Sequence, residues 1–333
     1  YIKSSLRQDE RLLSYGEPQG ERELREAICS YLGRHRGVVC TPEHIVVGAG
    51  VQSLLHILCP MVRDRKNAYF YNPGFRQGRT IFEDFEFRTE GMRSAREAGG
   101  PDSGSICYLT PSQMTVWGEV MHITERMDLL KEAFEKDILI IEDDYNSEFR
   151  YYNRPTPSLQ GLAGGRGVVY LGTFSRLLLP SIRMSFMVLP PELLPVYRER
   201  SRYYNQTSSK TEQIALCQFI RDGHLESQIR KARKLYTAKA KKLCEDIGRI
   251  FGDRAVPHLG EAGFLVLAEI RTELTSEEIA RKAAHAGIAV RAVVPEEGKR
   301  GESMNPRILL SCATVGTEHY EEALTELYDS IFG

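Results

Sequence analysis

The sequence predicts an α/β protein, with a mainly parallel sheet covered by helices in a large domain and a smaller α+β domain at the C-terminal end. Three observations carry this. Apolar, β-branched runs alternate with stretches of helical periodicity up to about residue 200, the order that builds a parallel sheet covered on both faces. A length of 333 residues allows a large core divided between two domains. After "MVLPPELLPVYRERSRYYNQ" the texture changes to a long, charged helical region, which places a boundary near residue 200.

The elements follow in order. "YGEPQGERELREAICSYLGRHRG" opens with turn residues, sets Leu24, Ile28, Tyr31 and Leu32 at helical spacing and stops at glycine, the pattern of an amphipathic helix. "HIVVGAGVQSLLHILCPMV" reads as a short strand, a Gly-Ala-Gly turn and a helix, and "NAYFYNPGFRQGRTIFEDF" repeats that order. "SICYLTPSQ", "DILIIEDDYNSEFRY", "GVVYLGTFSR" and "RMSFMVLP" are further strands, separated by turns or by a helix such as "ITERMDLLKEAFEK". In the charged region, the run "RKARKLYTAKAKK" reads as a solvated helix face. "AGFLVLAEI", "IAVRAVVP" and "RILLSCA", with the closing helix "HYEEALTELYDSIF", form a small sheet with a helix.

Composition narrows the function classes. Lysine and arginine total 44 against 45 acidic residues, a net charge of −1, so no global basic field draws nucleic acid to this chain. Seven scattered cysteines (Cys29, Cys40, Cys59, Cys107, Cys217, Cys244, Cys312), without a C-x-x-C pair, argue against a disulfide framework or a zinc knuckle and suit buried thiols in a reducing compartment. No metal site is expected. The apolar runs fall short of the roughly 20 residues that span a bilayer, and no signal peptide is visible, which predicts a cytoplasmic location. The chain opens at Tyr1 in a polar stretch with no capped helix start, as expected of a piece of a longer polypeptide or of one whose initiator has been processed.

In open α/β sheets ligands bind at the carboxyl ends of the strands, and four turns there carry unusual residues. Gly48–Gln52 puts glycines and backbone N–H groups at a helix start, which suits a phosphate and equally makes a tight connection. Asp143 and Tyr145 follow the run "ILII", where alternation points both to one side. A carboxylate and a phenol so placed can hold a protonated ring nitrogen and a neighbouring hydroxyl, as in a pyridine cofactor; the other reading is an acidic cluster at a strand end. Thr173, Ser175 and Arg183 offer two hydroxyls and a guanidinium to a phosphate, or cap a surface turn. Phe75, closing "NPGF", can stack on a flat ring or pack in the core.

Taken in order, "YGEPQGERELREAI", "VVGAGVQSLLHIL", "NPGF", "IIEDDYNSEFRY", "GTFSR" and "PSIRMSFMVLP" resemble the aminotransferase-like domain of MocR/GabR-type bacterial transcription regulators, relatives of fold-type-I pyridoxal phosphate enzymes. The resemblance covers nearly the whole chain, and "EDDYNSEFRYYNRPTPSLQGL…VVYLGTFSR" is characteristic of the regulators. It implies a fold-type-I aminotransferase-like chain with an arm at 1–20, a large cofactor domain at 21–200 and a small domain at 201–333. It also implies a homodimer, and a winged helix-turn-helix domain upstream that does the DNA binding. Residue by residue, it makes Asp143 the partner of the pyridine nitrogen and Tyr145 that of the ring hydroxyl. It sets Val51, Gln52, Thr173, Ser175 and Arg183 around the phosphate, and Phe75 on the ring. Tyr15 would come from the other subunit, and Arg307 would hold the carboxylate of an amino-acid effector.

The chain departs from that pattern where the chemistry is made. The family reads G-T-F-S-K, and its lysine forms the Schiff base with the cofactor; here the position is Arg176. A guanidinium, with a pKa above about 12, stays protonated and is a very poor nucleophile, so transamination is not expected although binding can persist. "TPSQMTVWG" replaces the family's "TPSHQFPTG", which puts Gln113 and Trp117, the sole tryptophan, at the expected edge of the effector pocket. Lys210 offers a substitute amine, or is a solvated lysine at a helix start.

The expectation is therefore an effector-sensing domain without enzyme activity. It would bind pyridoxal phosphate noncovalently, or a preformed pyridoxyl adduct, or an amino-acid or peptide-like effector directly, with Arg176 pairing with a ligand anion or with Asp143 or Asp144. The alternatives are an aminotransferase-type protein whose lysine was replaced by engineering, and a cofactor-free interaction domain.

Overall fold

The computed structural model describes residues 1–7, 9–71, 75–92, 100–151, 156–293 and 305–333. The Asn72–Gly74 turn before Phe75, the "YNRP" part of the characteristic block and the end of "IAVRAVVP" lie outside the described residues. The helices are α1 (Ile2–Ser5), α2 (Asp9–Leu12), α3 (Arg22–Arg36), α4 (Val51–Leu58), α5 (Arg76–Asp84), α6 (Ile123–Glu135), α7 (Leu159–Leu162), α8 (Leu194–Ser201), α9 (Lys210–Arg221), α10 (His224–Phe251), α11 (Ser276–His285) and α12 (Tyr320–Phe332). The strands are β1 (Ile45–Gly48), β2 (Asn67–Tyr71), β3 (Arg88–Met92), β4 (Ile106–Leu109), β5 (Leu139–Asp143), β6 (Val168–Thr173), β7 (Ser185–Val188), β8 (Ala255–His258), β9 (Leu265–Ile270), β10 (Arg291–Val293) and β11 (Arg307–Ser311).

The chain forms two compact units. The first comprises Tyr1–Met114, Val120–Glu148 and Arg154–Arg230; the second comprises Thr115–Glu119, Phe149–Asn153 and Lys231–Gly333. The first unit holds a seven-stranded sheet in the order β1-β7-β6-β5-β4-β2-β3. All neighbours in it run parallel except β7, which is antiparallel to both β1 and β6.

Period-two alternation sorts the strand residues onto two faces. Ile106, Tyr108, Ile141, Val169 and Leu171 pack with Leu54, Leu55, Phe70 and Phe82 on one side. Cys107, Leu109, Ile140 and Val168 pack with Leu129, Ala133 and Leu159 on the other. Strands buried on both faces read as continuous apolar runs, which is why they were legible in the sequence. β3, "RTEGM", is largely exposed at the sheet edge and has no such run, so the sequence did not foreshadow it.

The same alternation divides the acids "EDD" that close β5. Glu142 and Asp144 turn to one face, and both are buried and tied down. The Glu142 carboxylate accepts the N–H groups of Leu159 and Gln160, each at 2.9 Å, and lies 3.6 Å from the fully buried guanidinium of Arg126. Arg126 also donates to the carbonyl oxygens of Met121, Pro111 and Pro157, each at 3.0 Å. Asp144 accepts Arg36 Nε at 2.6 Å and the Tyr170 hydroxyl at 2.5 Å. Arg36, the last residue of α3, further donates to Ser112 Oγ at 3.1 Å and to the Thr156 carbonyl at 2.8 Å.

In the second unit an antiparallel sheet, β10-β11-β9-β8, shares a core with α11, α12 and the later part of α10 through Leu243, Ile247, Val266, Ile279, Ile308, Leu324 and Leu327. β8 was not foreshadowed, since "AVPH" is short and carries a proline. All seven thiols are free, and only four are buried; Cys29, Cys40 and Cys244 are half-buried, against the expectation of burial throughout. The Cys29 and Cys40 sulfurs stand 3.5 Å apart. Among the described residues no helix is long and apolar enough to cross a membrane.

Replacing Arg126 with leucine strands the Glu142 charge in the core and frees three carbonyls. Urea unfolding of Arg126→Leu should show a loss of about 3–5 kcal/mol, the range for breaking a buried ion pair from one side. Adding Glu142→Gln should recover part of it.

Candidate functional site

Strand register brings the distinctive turns to one edge of the sheet. Asp143, the last residue of β5, pairs with Leu171, two residues before the end of β6. Thr173, which ends β6, and Gly48, which ends β1, both pair with Ser185 at the start of β7. The Gly48–Gln52 turn, the Asp143–Tyr145 turn, the Thr173–Arg176 turn and Arg183 therefore share one end of the first unit's sheet.

Asp143 turns to the face opposite its two acidic neighbours. Its Oδ2 accepts the Tyr108 hydroxyl at 2.6 Å, and its Oδ1 is buried without a hydrogen-bond partner among the described residues. Burial pushes this carboxyl up to about 7; the Tyr108 hydroxyl works against that, Asp144 adds to it, and the Arg176 guanidinium also opposes it. Asp144 is the reverse case. Burial would raise it, but Arg36 with the hydroxyls of Ser112 and Tyr170 holds it below the usual carboxylate range.

Tyr145 lies just past the strand end, half-buried; desolvation and Asp143 push its phenol up to about 12, with Arg176 opposing. The Arg176 Cζ stands 5.6 Å from the centroid of the Tyr145 ring. Arg176 is exposed, and among the described residues it makes no ion pair with Asp143 or Asp144, one of the two pairings the sequence left open. Arg36 has taken Asp144, so that carboxylate is already neutralised.

The phosphate-type turn is built by mutual fit. Gly50 caps α4 at φ 96°, in the region that favours glycine, and a Cβ there would collide with the Arg183 guanidinium. Arg183 itself adopts φ 46° and ψ 42°, a left-handed conformation uncommon for a residue with a side chain. Val51 and Gln52 open α4, whose first N–H groups lack intrahelical partners and whose start has no side-chain cap. Ser175 Oγ is buried without a hydrogen-bond partner among the described residues.

Thr173 differs from the expectation. Its hydroxyl accepts from Ser175 N at 3.2 Å and Ser185 Oγ at 2.8 Å and donates to the Met184 carbonyl at 3.4 Å. With donor and acceptors all engaged, it braces the turn rather than presenting a hydroxyl to an anion.

The remaining candidates fall in different places. Phe75 precedes α5, and its ring lies 6.4 Å from that of Tyr108, nearly parallel at 26°. The Gln113 side chain is buried and accepts from Asn146 Nδ2, so it serves as an internal brace rather than the pocket-edge group expected. Tyr15 is 96% exposed. The Lys210 amine is engaged at the N-terminal arm, 3.0 Å from Ser14 Oγ and 3.9 Å from the Glu21 carboxylate.

Trp117 and Arg307 belong to the second unit. The Thr115–Glu119 segment is tied there through the Gly118 carbonyl, which accepts the N–H groups of Glu261 and Ala262. Arg307, on β11, lies 3.5 Å from Glu269 and lines a cavity of about 910 Å³ with Arg254, Arg271, Ser276 and Asn305. The sequence reading missed Tyr108 and Arg36. Alternation places Tyr108 on the same face as Ile106, but only register puts it beside Asp143. Nothing local marks Arg36 as other than a helix-end cation.

Four similarities to known proteins accompany this geometry. A family model described as aminotransferase class I and II matches residues 2–327. The chain is 38% identical over 300 residues to an uncharacterized HTH-type transcriptional regulator, YhdI, of Bacillus subtilis (strain 168), covering 88% of this chain and 64% of that protein. It is 30% identical over 285 residues to the probable rhizopine catabolism regulatory protein MocR of Rhizobium meliloti, covering 84% and 58%. The chain thus spans about three fifths of the length of these relatives. The solved structure of an archaeal alanine:glyoxylate aminotransferase superposes with a TM-score of 0.81 at 21% identity, over 99% of this chain and 85% of that one, a likeness of fold.

The half-partnered Asp143 should leave a mark on stability. Its folded carboxyl binds a proton up to about pH 7, whereas in the unfolded chain it ionises near its ordinary value of 3.8. Between those values the folded state holds more protons, so stability falls as pH rises, and the full cost is present above about pH 7. Asp143→Asn removes that cost, on the order of 2–4 kcal/mol. Without added ligand, the melting temperature of Asp143→Asn should fall less from pH 5.5 to 8 than that of the parent; parallel curves would contradict the assignment.

Proposed function

Since this chain belongs to the aminotransferase class I and II family, and within it to the aminotransferase-like domains of MocR-family HTH regulators, we propose that it is the effector-sensing part of a transcription regulator that holds pyridoxal phosphate without bonding to it. The observation that carries this reading is the buried Oδ1 of Asp143, unpartnered among the described residues, together with a guanidinium over the Tyr145 ring where the family places its reactive lysine.

The residues present fit the cofactor. An unpartnered buried carboxylate oxygen suits a protonated ring nitrogen, and a pyridinium would also relieve the burial that raises the Asp143 carboxyl. Tyr145 would meet the ring hydroxyl and Phe75 the ring face. The phosphate would lie on the free N–H groups of Val51 and Gln52, the unpartnered Ser175 Oγ and Arg183. Bound there, pyridoxal phosphate would bring an aldehyde, which bonds to an amine only when that amine is deprotonated. Arg176 stays protonated, so in this site it binds and orients but neither attacks nor shuttles a proton. Thr173 holds the turn in shape.

The regulatory half of the proposal rests on the relatives. YhdI is described as HTH-type, and MocR as a regulatory protein, and both are longer than this chain. We therefore assign DNA binding to a winged helix-turn-helix domain elsewhere in the same cytoplasmic polypeptide. The almost fully exposed Tyr15 suits contact with a second copy, and the effector is amino-acid-like or peptide-like, with Arg307 as a candidate for its carboxylate. Effector binding would shift the dimer between arrangements, which requires different affinities for the two.

Titration with pyridoxal phosphate should change the cofactor's absorbance, borohydride should trap nothing, and dialysis should remove the ligand. Arg176→Lys should make it resist dialysis after borohydride. A borohydride-stable adduct on the unaltered chain would return the enzyme reading, and no binding at all would favour a cofactor-free interaction domain. Sedimentation should show a dimer, and Tyr15→Ala should weaken ligand binding several-fold without dissociating it.

A further inference from the structure

The site in the first unit holds two opposite charges that make no ion pair among the described residues. Glu142 has Arg126, and Asp144 has Arg36. Asp143 keeps one buried oxygen unpartnered, and Arg176 makes no ion pair among the described residues. Both charges attend the same phenol: Asp143 precedes Tyr145 by two residues and raises its pKa, while Arg176 lies over its ring and lowers it. A second cation, Arg183, is fixed apart from them against Gly50.

A ligand matched to this pattern carries a cation for Asp143, a phosphate for the Arg183 turn and a further anion for Arg176. The aldehyde form of the cofactor supplies only the first two. The aminomethyl form, like any saturated amine joined there, brings an ammonium toward the guanidinium but has no carboxylate to offset it, and like charges repel. A carboxylate, by contrast, accepts the planar fork of a guanidinium.

Resting on the cofactor reading above, the geometry points to Arg176 as the residue that makes this a receptor for a phosphopyridoxyl-amino acid conjugate, in which a saturated C–N bond already joins ring and amino acid. The conjugate is held as a whole. Arg176 takes its carboxylate, and the free aldehyde and aminomethyl forms of the cofactor bind more weakly.

Calorimetry or pyridoxyl fluorescence on the purified chain tests this with four probes: N-phosphopyridoxyl-alanine, its ethylamine counterpart lacking the carboxylate, pyridoxamine phosphate and pyridoxal phosphate. Arg176 is exposed, so its pair is worth about tenfold rather than the thousandfold of a buried one. The alanine conjugate should bind about tenfold more tightly than its ethylamine counterpart, and pyridoxamine phosphate should be the weakest. Arg176→Met, with Arg176→Gln as a second variant, should bring the two conjugates to equal affinity and improve pyridoxamine phosphate binding.

Equal affinity of the two conjugates for the unaltered chain overturns the inference. So does a preference that survives both Arg176 variants and is lost in Arg307→Met, which would give the carboxylate to Arg307. If no probe binds the unaltered chain, the cofactor reading itself falls, an outcome distinct from binding without preference.

Discussion

Three consecutive acids buried at one strand end are the constraint around which the first unit is arranged. Burying a carboxylate costs several kcal/mol unless a cation or hydrogen bonds compensate it. Strand alternation sends Glu142 and Asp144 to one face, where two arginines from different helices and a ring of carbonyl and hydroxyl groups meet them. It sends Asp143 alone to the other face, where a phenol satisfies one oxygen only. The protein thus neutralises two of three charges with its own groups, and the third is the one that stands among the ligand-type turns.

Under the proposed function, an arginine where the family places its lysine alters what occupancy means. In an enzyme of this fold the cofactor is anchored by a bond, and specificity lies in what reacts with it. Where the anchor is a guanidinium, every contribution to affinity is reversible, so occupancy follows ligand concentration. That dependence is what a sensor requires, because a ligand shifts a conformational equilibrium only by its difference in affinity for the two states.

Much of the fold was legible because strands buried on both faces leave apolar runs and helices leave a periodic stripe: α3 with Leu24, Ile28, Tyr31 and Leu32, and β4, β5 and β6, all lie within the expected segments. What stayed hidden is set by tertiary context. An exposed edge strand such as β3 has no apolar signature, and the insertion of β7 between β1 and β6 is a matter of topology. The turns bearing Asp143, Ser175, Arg176 and Arg183 were visible from residue type and order. The partners that give them their character were not, since Tyr108, Arg36 and Arg126 are unremarkable until strand register and burial place them. Thr173 and Gln113 misled for the same reason: a polar side chain in a turn looks available until its hydrogen bonds are traced.

The strand order also implies a sequence of assembly. Arg126 gathers the carbonyls of Met121, Pro111 and Pro157, which lie 5, 15 and 31 residues away, so closing that cage costs less chain entropy than pairing β1 with β7. β1 has no local partner in the sheet: Gly48 meets Ser185 only after the intervening strands have formed a surface on which β7 can lie. The Glu142 cage thus closes over the shorter loops, whereas the Asp144–Arg36 pair bridges 108 residues and the Gly48–Gln52 turn depends on the most distant pairing in the sheet. A nascent chain would have every group of the Glu142 cage in hand before it makes Arg183, which completes the contact with Gly50.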